Sequence, residues 1–370
     1  MRGLYAAGIT SNGASHHAGR GIGLEGSRTM LCWMHNVLHG RPLGLGSGDV
    51  AMKVLLVHYN PARGGGAESS VKDLSQALEL RGHEVIVEFT NPRRAWRAFK
   101  PDVVHYHTLM EFGPLQWAQE QRVPHCLSLH DYWPFCSGRM LLKHYDEPCS
   151  AVQGVCDGDC DGKPADGRIR DLVNGTPVVA FNPYSAAIYR RHGIRVDTVI
   201  PHGIDTDFFV PNLAKRDGKV RVVTVSAWPT FPTKGMHILR EALKGTGVEA
   251  RMVAGVSRAR VREILQKAAV FVFPSCYEET WGLCLTEAMA CGCACVASDV
   301  CGPRTQIEES GAGVLVPPRD AAALREAILT FLTDGYRRDC AGRMARRWAA
   351  EEANLAKMGQ RYKDFYQTLL

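Results

Sequence analysis

The stretch VFVFPSCYEETWGLCLTEAMACGCACVAS, residues 270–298, holds a complete strand–helix–strand unit. VFVFPS is a short apolar, β-branched run of the kind a buried parallel strand requires, and CACVAS closes the unit as a second one. Between them a loop carries Glu278 and Glu279, Gly282 permits close backbone approach, and a helix begins near Leu283. The same grammar extends outward in both directions. KVLLVHY, HEVIVEF, DVVHYH, PHCLSLH, PVVAF and VDTVI read as strands before it, with helix-like segments such as AESSVKDLSQALELRG stopping at Gly82. RVVTVSA, EARMVAG and GVLVP continue the pattern in the second half, with GMHILREALK and DAAALREAILTFLTD as helices. Alternating β and α with short connections implies doubly wound parallel sheets.

The alternation runs twice, broken by the loop-like PHGIDTDFFVPN at 201–212. A chain of 370 residues is too long for one core and comfortable for two α/β domains. The expected divisions are 52–202, 203–349 and a closing helix over 350–370, with a ligand cleft between the carboxyl ends of the two sets of strands. Residues 1–51 differ: they are rich in Gly, Ser and His and show neither period. Two readings fit them, translation beginning near Met52 or a disordered leader that is made.

At 45% apolar and 22% charged residues the composition is that of a globular protein, and no run reaches the ~20 apolar residues a membrane span needs. A net charge of +6 suits anionic ligands or an anionic membrane surface but is too weak to indicate nucleic acid. Thirteen cysteines without a secretory signal pattern point to the reducing cytosol.

Glu279 and Glu287 bracket a helix start whose free N–H groups suit a phosphate, while a carboxylate a turn onward can accept from a ribose diol. Two Glu at that spacing are, taken alone, usually solvated charge. The whole string, however, resembles the signature of the family-4 glycosyltransferases: Glu-x7-Glu between a strand ending in Pro-Ser and a helix reading Glu-Ala-Met-Ala-Cys-Gly. The resemblance covers about residues 52–370. It implies the two-Rossmann GT-B fold, a nucleoside-diphosphate sugar donor linked to UDP or GDP, and transfer with retention of configuration, with no metal or other cofactor for catalysis. It places Glu279 on the donor sugar, Glu287 on the ribose, and Thr280, Trp281, Gly282 and Leu283 along sugar and phosphate. The acceptor it implies is a glycan, lipid-linked or small-molecule hydroxyl.

Three further motifs join this one. In WPTFPTKGMHIL, Lys234 precedes Gly235 at a helix start, where a fixed cation can meet a diphosphate. The resemblance calls for an Arg a few residues earlier; Ser226-Ala227-Trp228 stands there instead, so either a residue from elsewhere, Arg304 in CGPRTQI, substitutes or turnover is reduced or lost. In HYNPARGGGAESSVKDL the glycines do not make G-x-G-x-x-G, so a dinucleotide loop is disfavoured. Gly65, Gly66, Ala67 and Glu68 match the family's Gly-Gly-Ala-Glu loop beside acceptor and donor phosphates. In LSLHDYWPFC, His130 matches the His that reaches the donor sugar. The alternative function is an inactive sugar-nucleotide-binding partner of an active transferase.

Cys136, Cys149, Cys156 and Cys160 fall in a long Gly/Asp-rich loop. Four thiolates can hold a structural Zn²⁺, but the spacings lack paired C-x2-C, so zinc and free thiols both stand, with disulfides behind. Cys291, Cys293, Cys295 and Cys301 read as small buried residues through a strand. PRRAWRAFK places Arg93, Arg94, Arg97 and Lys100 around Trp96 and Phe99: a solvated helix, or a basic patch for peripheral contact with a membrane.

Overall fold

The computed structural model describes residues 50–58, 65–89, 91–109, 111–136, 138–143, 147–153, 167–212, 214, 221–227 and 230–370. The leader expectation therefore lies outside the described residues.

The first domain is built on β1 (Lys53–Val57), β2 (Glu84–Glu88), β3 (Val103–Tyr106), β4 (His125–Ser128), β7 (Val178–Ala180) and β8 (Thr198–Val199). They form one parallel sheet in the order β2-β1-β3-β4-β7-β8. Its helices are α1 (Gly66–Glu79), α2 (Pro92–Phe99), α3 (Gly113–Glu120), α4 (Gly167–Asn174) and α5 (Pro183–Arg191). A two-residue hairpin, β5 (Leu142–Lys143) and β6 (Glu147–Pro148), decorates the long loop after β4.

The second domain has five parallel strands in the order β10-β9-β11-β12-β13: β9 (Val222–Val225), β10 (Ala250–Val253), β11 (Val270–Phe273), β12 (Ala294–Ser298) and β13 (Gly313–Val316). Around them lie α6 (Met236–Leu243), α7 (Arg258–Leu265), α8 (Leu283–Ala290), α9 (Cys301–Ser310), α10 (Ala321–Thr333) and α11 (Gly335–Glu352). This is the GT-B architecture, two Rossmann-like domains facing across a cleft. Val103 to Tyr106 and Val270 to Phe273 are buried along their whole length, as strands covered on both faces must be.

The strand orders reverse beside β1 and beside β9, so both crevices open at the carboxyl ends of β1/β3 and β9/β11. The chain ends in α12 (Leu355–Gln367), which leaves the second domain and packs on α1. Leu355, Met358, Tyr362 and Tyr366 enter the first domain's core. Asn354 starts this helix by accepting a hydrogen bond from the Lys357 N–H, so the segment 350–370 holds the end of α11 and then α12.

The two interdomain crossings lie against each other. Ile204 pairs with Asn354 as an isolated β-bridge, and the Ile204 N–H donates to the Ala353 carbonyl at 2.9 Å. A Cβ on Gly203 would stand 2.4 Å from the Asn354 carbonyl oxygen, so only glycine fits there.

Candidate active site

At the carboxyl end of β11, Ser275, Tyr277 and Glu279 gather around Lys234. Lys234 ends a 3₁₀ turn (Pro232–Lys234), and Gly235, with φ 67°, turns the chain into α6. A Cβ on Gly235 would lie 1.7 Å from the Pro274 carbonyl oxygen, so this left-handed glycine alone lets the lysine loop sit against the β11 loop. Lys234 Nζ donates to Glu279 Oε1 at 2.6 Å and to the Tyr277 hydroxyl at 3.0 Å. Tyr277 in turn donates to Glu279 Oε2 at 2.6 Å, and Ser275 Oγ donates to Oε1 at 3.1 Å. Burial alone would push the Lys234 ammonium down, but Glu279 and Tyr277 hold it well above the usual lysine range. The result is a cation fixed in place by a buried carboxylate.

Gly282, φ 101°, is the N-cap of α8, and its missing Cβ leaves room for the Phe273 ring. Trp281 is 2% exposed; its indole N–H donates to Thr286 Oγ1, so its side chain belongs to the core and only its backbone faces the loop. Burial raises the Cys284 thiol in the first turn of α8, and Glu287, Glu279 and Lys234 all act on it. The amino end of α8 thus lies between the two glutamates.

Glu287 is buried on α8, and its Oε1 accepts from Arg258 Nε at 2.9 Å. Burial pushes the Glu287 carboxyl up, and Arg258 opposes that shift. Arg258 itself was not legible as a site residue. Arg304, the expected substitute at the diphosphate, pairs with Asp299 and lies over the Tyr184 ring at 4.8 Å. Arg258, at the start of α7, is the arginine that reaches Glu287.

The first domain contributes histidines. His130 follows β4, and its Nε2 is 3.0 Å from His107 Nδ1. Its ring stacks on His202 at 5.5 Å, and His202 meets Trp281 edge-on at 6.1 Å. The His130 carbonyl accepts from Thr280 Oγ1 at 2.8 Å, while Asn182 Nδ2 donates to the Thr280 carbonyl at 2.6 Å. These two bonds bring the domains together at Thr280. Gly65 caps α1, its N–H donating to Glu68 Oε2 at 2.8 Å; Gly66 and Ala67 follow in the helix. Burial alone would raise the Glu68 carboxyl, but His58, 3.6 Å from Oε1, and backbone N–H groups bring it below the usual value. Glu68 is thus spent on ordering its own loop.

The structure brings Lys234, Glu279, Thr280, Gly282, Leu283 and Glu287 onto one rim, with His130 opposite Thr280. Of the four loop cysteines, Cys136 and Cys149 are described and Cys156 and Cys160 lie outside the described residues. Of the second cysteine group only Cys295 is inside a strand: Cys291 ends α8, Cys301 starts α9, and all four are buried. On α2, Arg93, Arg94, Arg97 and Lys100 are exposed, while Trp96 packs edge-on against Trp117. Among the described residues no helix is long and apolar enough to cross a membrane.

Residues 234–348 match the family model Glycosyl transferases group 1. The chain is 31% identical over 299 residues to a D-inositol 3-phosphate glycosyltransferase of Geodermatophilus obscurus, covering 67% of this chain and 62% of that one. It is 28% identical over 169 residues to a phosphatidyl-myo-inositol mannosyltransferase of Mycobacterium leprae, covering 38% of this chain and 45% of the relative. The chain thus spans less than half the length of that curated relative. Among solved structures, sucrose-phosphate synthase from Thermosynechococcus elongatus superposes with a TM-score of 0.68 at 19% identity, over 86% of this chain and 99% of that one. Anabaena HepE, solved with UDP and glucose, gives 0.64 at 18% identity, over 86% and 100%. Residues 234–348 are thus similar to the glycosyl transferases group 1, and they lie on a fold shared with solved glycosyltransferases.

Proposed function

We propose that this chain is a glycosyltransferase that moves a sugar from a nucleoside-diphosphate sugar to a hydroxyl acceptor, with retention of configuration and without a catalytic metal. The observation that carries this reading is Lys234, locked by Glu279 and Tyr277 beside the amino end of α8. A diphosphate gains charge as it leaves, and a pre-positioned ammonium with free helix N–H groups meets that charge without reorganising. In this reading Glu279 accepts from hydroxyls of the donor sugar, and Glu287 from the ribose diol. His130 approaches from the first domain as a neutral hydrogen-bonding group, because burial and neighbouring histidines keep its pKa well below the ordinary value. In the front-face displacement this supports, the bond from C1 to phosphate oxygen breaks and the bond from C1 to the acceptor oxygen forms on the same face. The acceptor proton passes to the leaving phosphate.

UDP or GDP is the expected nucleotide; UDP is the one bound in the Anabaena structure. The test is thermal stabilisation of the full chain by UDP, GDP and ADP, with Glu287→Ala as control. A specific diphosphate at a hundred times its dissociation constant is expected to add about 2.7 kcal/mol, and the variant should lose most of that gain. Equal stabilisation of wild type and variant would remove Glu287 from the site. An inactive partner would bind the diphosphate yet neither hydrolyse nor transfer its sugar.

For a lipid-linked acceptor, the exposed basic face of α2 is where an anionic bilayer would be met. Co-sedimentation with phosphatidylglycerol vesicles should fall by about tenfold in an Arg93→Ala, Arg94→Ala, Arg97→Ala variant, at ~1 kcal/mol per basic residue before incomplete surface contact is allowed for. Unchanged sedimentation would leave the helix a solvated face.

A further inference from the structure

Among the described residues, Arg258 ties the ribose-side carboxylate to the opposite domain. Its Nη1 and Nη2 donate to Asp73 Oδ1 and Oδ2 at 2.6 and 2.8 Å, a two-pronged pairing, while Nε donates to Glu287 Oε1 at 2.9 Å. Asp73 lies on α1 in the first domain and is 1% exposed; Arg258 and Glu287 belong to the second. The guanidinium lies over the buried Phe209 ring at 5.2 Å, which fixes its plane. Three N–H donors of the guanidinium are thus divided between two carboxylates on two domains. Glu287 Oε2 keeps no protein hydrogen bond among the described residues.

We propose that Asp73 and Arg258 are positioning residues that couple closure of the cleft to recognition of the donor's ribose. With the domains shut, Asp73 holds Arg258 in the plane that draws Glu287 Oε1 aside and leaves Oε2 aimed outward for a diol. With the domains apart, Asp73 is withdrawn, and Arg258 is free to fold over both oxygens of Glu287 and neutralise the acceptor. A nucleoside diphosphate with an intact ribose therefore binds the closed form better than the open one, and that difference in affinity is what drives closure. Asp73 touches no ligand; it acts through Arg258, and Arg258 through Glu287. This inference rests on the ribose role of Glu287 proposed above.

The test compares UDP and GDP with their 2′,3′-dideoxy analogues by calorimetry on the full chain. Wild type should prefer the ribose form by about tenfold or more, the usual worth of hydrogen bonds to a charged group. In Asp73→Asn the preference should shrink to less than about threefold, with the dideoxy affinity nearly unchanged. Arg258→Lys, which keeps the charge and loses the fork, should do the same and covers the case in which the Asp73 variant does not fold. If Asp73→Asn and Arg258→Lys weaken both forms by one common factor, or leave the preference intact, the coupling is absent while the ribose role of Glu287 stands. If wild type shows no preference, or Glu287→Gln retains it, the ribose role itself is overturned and the coupling with it.

Discussion

Replacing Lys234 by alanine is expected to lower the rate of sugar transfer by about 10²–10³-fold, the usual loss when one fixed group facing a developing negative charge is removed. The same change should destabilise the protein, because Glu279, only 8% exposed, would remain buried without its cation. Breaking one side of a buried ion pair costs about 3–5 kcal/mol. The two losses can be separated. In a Lys234→Met, Glu279→Gln double variant no uncompensated charge remains, so denaturant unfolding should recover most of the stability while transfer stays lost. Tyr277→Phe is the milder companion: it removes one hydrogen bond to Glu279 and one from Lys234 but leaves their ion pair. If the double variant regains transfer along with stability, the lysine is structural and the site must be sought elsewhere.

The second large effect is on stability in acid. His105 and His202 are held down to about 3, His105 by burial and by His202, His202 by burial. His107 and His130 are also pushed well below the ordinary histidine value by burial and by one another's neighbours. Because the folded-state values lie below the unfolded ~6.5, the folded protein takes up fewer protons in this range. The stability these groups contribute is complete above pH 6.5 and is lost as pH falls toward about 3. At about 1.4 kcal/mol per group per pH unit, His105 and His202 together forfeit roughly 4 kcal/mol between pH 6.5 and 5. Urea unfolding at pH 7.5, 6 and 5 measures this, and His202→Asn should flatten the dependence by about one proton. A wild-type stability that does not change over that interval would mean the histidines already carry protons in the fold.

His105 shows why such a cluster is hard to find in a sequence. It reads as one more residue of the strand DVVHYH, yet its two ring nitrogens are satisfied by Ser128 at 2.8 Å, 23 positions on, and by Tyr366 at 2.7 Å, 261 positions on. The strands themselves were legible because a parallel strand covered on both faces must be a continuous apolar run, as in KVLLVHY and VFVFPS. The hairpin of Leu142–Lys143 and Glu147–Pro148 was not, since two residues carry no period. Lys234, Glu279 and Glu287 stand out in the sequence only through the resemblance of their whole strings to the family-4 signature; taken alone each reads as solvated charge. Asp73 and Arg258 are 185 positions apart, and each looks like an ordinary charge on an amphipathic helix. Arg304, expected beside Lys234 at the diphosphate, sits in a local motif, and the fold shows it paired with Asp299 five residues before it.

The paired crossings at Gly203 and Asn354 also govern how the two halves travel. Two stretches of chain pressed together at a single spot form a natural pivot between the halves, since sliding would break the Ile204–Asn354 bridge. His202, the residue next to that pivot, touches His130 on one side and Trp281 on the other. Points close to a pivot sweep the shortest arcs, so any swing about this crossing would part Thr280 and His130, bonded at 2.8 Å, less than residues farther out.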